Sequence, residues 1–287
     1  MLGPLAGILF DGFAYGMLLF LLSVGLSVTL GMMNFINLAH CSFGMLGGYV
    51  TVTLIDRLGW PYLASLAVAF FVAAAVSVVL ERLLFRRMYR ASDLDQCLVT
   101  IGVVFISVAA AAYLAGTVQQ PVQLPDWLRG SVNAFGVHFA VYRLFLIVTA
   151  VLITLVLVAG LEWTRFGAQV RAAVDNQRMA RGLGVDVDRA FSLTFALGGG
   201  LAGLGGALAA GIVGLDPSFA LAYLVYVLIV VSVGGLASIG GSFAAAALLG
   251  ISDIAGKYYV PELGSFLIYL VMVGLLIWRP SGLFGKR

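Results

Sequence analysis

The chain has 287 residues, of which 62% are hydrophobic and only 10% are charged. Soluble domains carry about 25% charged residues, so this chain cannot cover itself with a polar surface. Apolar runs of about 20 residues recur along it, and each is long enough to cross the roughly 30 Å hydrocarbon core of a bilayer as a helix. The alternating ten-residue segments typical of a membrane β-barrel do not occur. The composition therefore predicts an all-α polytopic membrane protein.

Nine hydrophobic segments follow one another in the chain, and several are short for a full crossing. Two of the segments, Leu38–Ile55 and Ser242–Gly256, can be re-entrant or broken helices. We therefore expect about eight to ten transmembrane helices in a single membrane domain that spans residues 1–287. The nine segments are Ile8–Leu30, Leu38–Ile55, Tyr62–Leu84, Leu94–Gly116, Val141–Leu161, Ala190–Val213, Phe219–Leu236, Ser242–Gly256 and Gly264–Trp278.

The basic residues predict the orientation of the chain. When the loops are assigned to alternating sides of nine spans, twelve of the 16 Lys and Arg residues fall on one side. Cytoplasmic loops carry the excess of Lys and Arg, so this side is predicted to be cytoplasmic, with the N-terminus outside and the C-terminus inside. The outer side receives Arg57, Arg129, Arg143 and Lys257. The longest outer loop, 117–140, is expected to be an interfacial loop or a short surface helix.

Small residues recur every fourth position in the segment 198–214. One series contains Gly199, Gly203, Ala207 and Gly211, and a parallel series begins at Gly198. A spacing of four places each series on one helix face, and small residues there let a neighbouring helix approach closely. The pattern predicts helix packing, and a sliding or gating contact is the alternative.

Motifs for chemistry are absent from the sequence. There is no P-loop, no zinc-ligand spacing and no nucleophile elbow, so no catalytic or metal site is predicted. The acidic residues, Glu81 among them, sit mostly at predicted helix ends or in loops. Asp253 is the exception, because it lies in an apolar segment four residues before Lys257, with which it can pair on one helix face. The sequence shows no buried chain of ionisable residues of the kind that proton- or sodium-driven carriers use, so any driving energy is expected to be supplied from elsewhere.

Polar residues and glycines cluster in the segment 31–49, between the first two predicted helices. Polar side chains and loose backbone at membrane depth are tolerated only where they are buried in protein or line a water-filled cavity. One interpretation is a capped helix junction with a buried histidine, and the other is a polar substrate pathway. The candidate pathway residues are Asn34, Asn37, His40, Ser42, Gly44 and Gly47.

The segment 171–189 is the most polar stretch of the chain and lies on the predicted cytoplasmic side. Its composition can form a short amphipathic helix with apolar contacts from Val170, Val174, Met179 and Leu183, ended by two glycines. Such a helix can dock on another protein, or it can lie on lipid headgroups, which arginines favour.

Four ordered motifs resemble the permeases of branched-chain amino acid ABC importers, and together they span nearly the whole chain. The first is Thr29-Leu-Gly-Met-Met-Asn-Phe-Ile-Asn-Leu-Ala-His40 with Met45-Leu-Gly-Gly-Tyr49. The second runs through 171–211 and includes Ala180-x-x-x-Gly184, an Asp-Arg pair and Leu193-Thr-Phe-Ala-Leu-Gly. The others are Val233-Gly-Gly-Leu-Ala-Ser-Ile-Gly-Gly241 and Arg279-Pro-Ser-Gly-Leu-Phe-Gly285. The chain is similar to the smaller of the two paired permeases of this family.

The resemblance implies a binding-protein-dependent importer that moves branched-chain or other hydrophobic amino acids across the inner membrane. Its partners would be a second homologous permease, two cytoplasmic ATPase subunits that bind ATP and Mg, and a periplasmic or lipid-anchored binding protein; this chain itself would hold no cofactor and be no enzyme. The cytoplasmic segment 165–189 would then be the coupling segment that contacts an ATPase. The residues implied in this coupling are Arg171, Val174, Asn176, Arg178, Met179, Ala180, Gly182 and Gly184.

Alternative functions remain open from the sequence. Related importer permeases move urea or short amides, and a cavity with few polar groups suits those substrates too. An ion-coupled secondary transporter would show uptake that depends on an ion gradient and survives ATP depletion. A channel would need a charge ring or carbonyl filter, and an intramembrane enzyme would need a better nucleophile–base pair than the adjacent His40 and Cys41.

Overall fold

The computed structural model describes residues 2–33, 35–89, 91–134, 137–235 and 238–284. These residues form an all-α polytopic membrane bundle. The helices are α1 (Leu2–Met33), α2 (His40–Asp56), α3 (Tyr62–Leu80), α4 (Arg86–Met88), α5 (Asp93–Ala115), α6 (Val141–Glu162), α7 (Arg165–Asp175), α8 (Gln177–Gly182), α9 (Val187–Val213), α10 (Phe219–Gly234), α11 (Ile239–Tyr259) and α12 (Gly264–Trp278). A π-helical turn, Glu81–Phe85, joins α3 to α4.

Each of the nine predicted hydrophobic segments coincides with a helix. Among the described residues, six helices are long and apolar enough to cross a membrane: α1, α3 with its extension, α5, α6, α9 and α11. The predicted short segment Ser242–Gly256 is part of the 21-residue α11, which begins three residues earlier with a Ser238 cap. In contrast, α2 is only 17 residues long, or about 26 Å at 1.5 Å per residue.

The core of the bundle is α1 and α9, which run antiparallel. Residues Met17 to Leu22 of α1 are at most 1% exposed. Helix α11 packs along α1 from Gly12 near Ile251 to Ser27, whose hydroxyl lies 2.6 Å from that of Ser242. These contacts and those of α2 and α3 with α9 show that neighbouring segments alternate in direction, as a polytopic chain requires.

The small residues of α9 lie on two faces that contact different helices. Gly199 and Gly203 lie against Ser77 and Ala73 of α3. Gly211 faces the Tyr142 hydroxyl of α6, and Ala207 is fully buried. On the other face, Gly206 touches the Gly44 backbone so closely that a Cβ carbon there would overlap the Gly44 carbonyl. The fourfold spacing therefore brings α2 and α3 close to the α9 backbone, while α6 contacts α9 through the Tyr142 side chain.

The outer loop differs from the sequence expectation of a loop or surface helix. Its described residues include a 3₁₀ turn, Asp126–Leu128, and a short antiparallel hairpin of β1 (Ser131–Ala134) and β2 (Val137–Ala140). The backbones of Gln120 and Leu215 exchange two hydrogen bonds of 2.7 and 2.9 Å. This pairing fastens the loop to the turn that follows α9.

Candidate functional site

The coupling segment 165–189 folds as two short helices, where the sequence suggested one. Asn176 interrupts the helix because its backbone is extended (φ −153°, ψ 97°), and its side chain accepts a 3.0 Å hydrogen bond from the Met179 N–H. Thr164 caps α7 and Asp186 caps α9 in the same way. Such side-chain caps satisfy backbone donors that a helix start leaves free. Three capped starts therefore divide the segment into rigid pieces.

One face of the coupling segment is buried against the bundle. Ala173, Ala180 and Val187 form a small apolar cluster with Phe191 of α9. Met33, at the end of α1, and Tyr89, after α4, pack against this cluster. The segment therefore contacts three parts of the membrane bundle at once.

The opposite face exposes apolar side chains. Met179 is 66% exposed and Leu183 82%, so most of the apolar surface of these two residues is not covered by the described part of the chain. Val174 is covered more, with 42% exposed. Arg178 and Asn176 lie beside them and are exposed too. Large apolar side chains grouped on a polar surface mark an interaction site.

The two predicted helix-ending glycines have different roles. Gly182 is the last residue of α8 and has a negative φ, whereas Gly184 has φ +84°. That left-handed conformation is unfavourable for residues with a Cβ. Gly184 therefore makes the turn from α8 to the Asp186 cap of α9.

Charged side chains fasten the coupling segment to its neighbours. Asp188 pairs with Arg86 of α4 and with Arg181 of α8, the latter over 2.8 Å. Arg171 donates to the Leu161 carbonyl at the end of α6. Arg171 and Val174 also line a cavity of about 660 Å³ that extends to Ser27 of α1. Arg171 thus joins α7 to the end of α6, and Asp188 joins the start of α9 to α4 and α8.

The connection between α1 and α2 lies deep in the bundle. His40 begins α2 beside Leu22, whose carbonyl lies 3.1 Å from the His40 Nε2. Leu22 precedes the end of α1 by 11 residues, which is roughly 16 Å along a helix. Asn37 is buried, and its Oδ1 has no hydrogen-bond partner among the described residues. Asn34, another predicted pathway residue, lies outside the described residues.

Polar groups of α5 support this connection, and sequence reasoning missed them. Gln96 accepts a 3.0 Å hydrogen bond from the Ile36 N–H and donates to the Met88 and Ala91 carbonyls. Thr100 lies one turn further along the same face of α5. The spacing of four between two polar residues in an apolar helix was the signal available in the sequence.

Only one of the described pathway candidates lines a large cavity. Ser42 hydrogen-bonds Ser107 of α5 over 2.7 Å, and both face a groove of about 620 Å³ between α2, α3 and α5. The groove is lined mainly by aliphatic side chains. His40 packs against Gly25 of α1, while the faces of Gly44 and Gly47 contact α9. These three residues therefore lie at contacts between helices, while Ser42 lies on the groove.

The predicted pair of Asp253 and Lys257 forms in α11. The Lys257 Nζ lies 2.5 Å from the Asp253 Oδ2 and 5.6 Å from the centre of the Tyr15 ring. The Asp253 side chain is 1% exposed and that of Lys257 is 47% exposed. The ammonium thus reaches the predicted outer surface, while the carboxylate is buried.

Comparison with known proteins agrees with this architecture. Residues 8–276 match the protein family described as the permease component of branched-chain amino acid transport systems. The chain is 25% identical to the high-affinity branched-chain amino acid transport system permease protein LivH of Escherichia coli, over 97% of this chain and 94% of that protein. It is 28% identical to a probable LivH of Methanocaldococcus jannaschii, over 94% and 90%. Against BraD of Pseudomonas aeruginosa the identity is 25%, over 97% and 95%.

Proposed function

Because the chain belongs to the family of branched-chain amino acid transport system permease components, and is a membrane permease and no enzyme, we propose that it carries branched-chain or other hydrophobic amino acids inward as one subunit of an ABC importer. Its membrane would be the cytoplasmic (inner) membrane. Its partners would be a second, homologous permease, two ATPase subunits and a periplasmic or lipid-anchored binding protein. ATP and Mg would bind on the ATPases.

The exposed face of the coupling segment carries this proposal. Met179 and Leu183 are exposed at the end of the bundle that is predicted to be cytoplasmic, and the opposite face of the same segment packs on α1 and α9. A surface of this kind suits insertion into a groove of an ATPase. Closure of the ATPases would then pull on the segment and move the helices attached to it.

The groove beside Ser42 is our candidate for part of the substrate pathway. Its aliphatic lining suits a branched side chain, and its few hydroxyls suit the polar end of an amino acid. Little of α5, which forms one wall, is buried in the isolated chain. Cover from the second permease would enclose the groove, with Ser42 and Ser107 facing its interior.

Reconstitution tests the proposal directly. The chain would be co-purified with its partner permease, ATPases and binding protein, placed in proteoliposomes containing ATP, and offered radiolabelled leucine, valine, urea and acetamide. We expect leucine and valine uptake that requires ATP and resists proton and sodium ionophores. Uptake of urea or acetamide alone would assign the related substrate class, and uptake abolished by ionophores would contradict the ABC assignment.

A pair of variants tests the coupling surface. Met179→Asp places a charge on the exposed apolar face, and we expect it to weaken ATPase binding and to abolish uptake without unfolding the permease. Met179→Leu keeps an apolar side chain of similar size and should transport normally. Normal ATP-dependent uptake by Met179→Asp would contradict the docking role of this face.

A further inference from the structure

Glu81 is buried at the end of the α3 span, although its position in the sequence suggested a solvated helix end. Its side chain is 1% exposed. Each carboxylate oxygen accepts a hydrogen bond from a hydroxyl: Oε1 from Tyr89 over 2.8 Å and Oε2 from Ser192 over 2.7 Å. Taking a carboxylate out of water is costly unless hydrogen bonds compensate. Both Glu81 oxygens are accordingly hydrogen-bonded, and Glu81 joins Tyr89, after α4, to Ser192 in α9.

The backbone at Glu81 is unusual as well. Glu81–Phe85 forms a π-helical turn between α3 and α4. Such turns are rare in proteins, and those that do occur are frequently at functional sites. Here the turn directs the following residues so that Tyr89 reaches back to Glu81. The carboxylate thus marks the point where the regular geometry of α3 is interrupted.

Tyr89 connects this point to the coupling segment and to the α1–α2 connection. Its ring packs edge-on against that of Phe191, with the ring centres 5.9 Å apart. Phe191 belongs to the cluster of Ala173, Ala180 and Val187. The same ring contacts Phe35 edge-on at 5.5 Å, two residues before Asn37. Burial and the adjacent Glu81 carboxylate raise the pKa of the Tyr89 phenol, so the phenol remains a hydrogen-bond donor at neutral pH.

Ser192 brings α9 into the same arrangement. It lies next to Phe191 and is buried, so the Glu81 hydrogen bond ties α3 to the start of α9 directly behind the coupling segment. Asp188, one turn earlier on α9, pairs with Arg86 just after the π-helical turn. Two independent polar contacts therefore join the end of α3 to the start of α9.

We propose that Glu81, Tyr89 and Ser192 form a clasp that transmits movement of the coupling segment to α3, α9 and the Phe35–Ala39 connection. Glu81 is a positioning residue in this proposal, which rests on the proposed ABC import function. Loss of the clasp leaves the coupling segment able to bind an ATPase, but its movement is then passed less completely to the groove beside Ser42. ATP hydrolysis continues while less substrate is imported for each ATP.

Conservative variants of the clasp and one matched control test this. Tyr89→Phe and Ser192→Ala each remove a single hydroxyl and keep the packing, and Glu81→Gln keeps the shape without the charge. Ser77→Ala is the control, because Ser77 also joins α3 to α9, through a 3.1 Å hydrogen bond to the Phe195 carbonyl, but does not touch the coupling segment. All four would be assembled into the complete complex, and uptake and ATP hydrolysis would be measured in the same proteoliposomes and normalised to assembled complex.

We expect Tyr89→Phe and Ser192→Ala each to lower leucine uptake per ATP hydrolysed about tenfold, the lower end of the factor that a hydrogen bond to a charged group contributes. Glu81→Gln should lower this ratio at least as much. Ser77→Ala should lower the thermal stability of the permease about as much as Ser192→Ala does, and should leave the uptake-to-ATP ratio unchanged. Equal ratios in all variants, or an equal loss in Ser77→Ala, would refute the clasp and leave only a structural role. Absence of ATP-dependent uptake in the unmodified complex would instead refute the proposed function itself.

Discussion

The two charges of the Asp253–Lys257 pair differ in burial, so removing the Lys257 charge should lower the free energy of unfolding far more than removing the Asp253 charge. Lys257→Met leaves the Asp253 carboxylate 1% exposed and without its cation. An unpaired buried charge costs about 3–5 kcal/mol. Asp253→Asn leaves an ammonium that is 47% exposed and keeps an oxygen that can accept from it. This change should cost about 1 kcal/mol, the value of one hydrogen bond.

Thermal unfolding of the purified permease in nanodiscs measures both costs. The double variant, with both substitutions, should resemble Asp253→Asn because no buried charge remains, so the cycle should show a coupling of a few kcal/mol. Asp126→Asn is the control, since the Asp126–Arg129 pair is exposed and such pairs contribute about 0–1 kcal/mol. Equal unfolding temperatures for Lys257→Met and Asp253→Asn would refute the argument that burial of the carboxylate decides the cost.

Further predictions concern backbone contacts and caps. Gly206→Ala should destabilise the bundle by about 1–3 kcal/mol because its new Cβ overlaps α2. Gly102→Ala, whose Cβ would have nothing within 4 Å, should stabilise it by about 0.5–1 kcal/mol. Equal changes in the thermal unfolding temperature of the two variants would contradict the packing. Gly184→Ala should lower the free energy of unfolding by about 1 kcal/mol, because Gly184 has a φ of +84°, while Gly182→Ala should not lower it. A larger loss for Gly182→Ala than for Gly184→Ala would contradict the assigned turn. Asn176→Ala should cost about 1 kcal/mol through its lost cap and weaken ATPase co-purification, and unchanged co-purification would argue that α8 does not dock.

The all-α class and the approximate positions of the apolar helices followed from the sequence because each apolar run is separated by charged or turn-forming residues. Gly264–Trp278 matches its helix at both ends. The difference at α11 has a physical cause, since the Ser238 cap and small residues extend the helix beyond the strongly apolar run. The orientation of the termini and the extent of a single domain remain predictions from the sequence.

The candidate site was less accessible to sequence reasoning because burial of polar residues depends on contacts between distant segments. Glu81 reads as a helix-end carboxylate, and only its approach to Ser192, 111 residues away, shows that it is buried. Likewise Gly44 and Gly47 belong to the candidate pathway segment 31–49, and their close contacts with α9 depend on residues far away in the sequence. The coupling, pathway and packing roles of the predicted site residues are still to be tested by the variants above.

The arrangement of close contacts favours transmission of force over local absorption at the coupling segment. Helix α9 continues directly from that segment and contacts α1, α2 and α3 through backbone at Gly198, Gly206 and Gly203. Because these interfaces contain almost no flexible side chain, a displacement at the start of α9 cannot be taken up by rotamer changes there. Helix α5 lacks such contacts along most of its length, with only Gln96, Thr100 and Val104 fully buried. Relative movement should therefore occur between α5 and the α1–α2–α3–α9 unit, which is where the groove beside Ser42 and Ser107 opens.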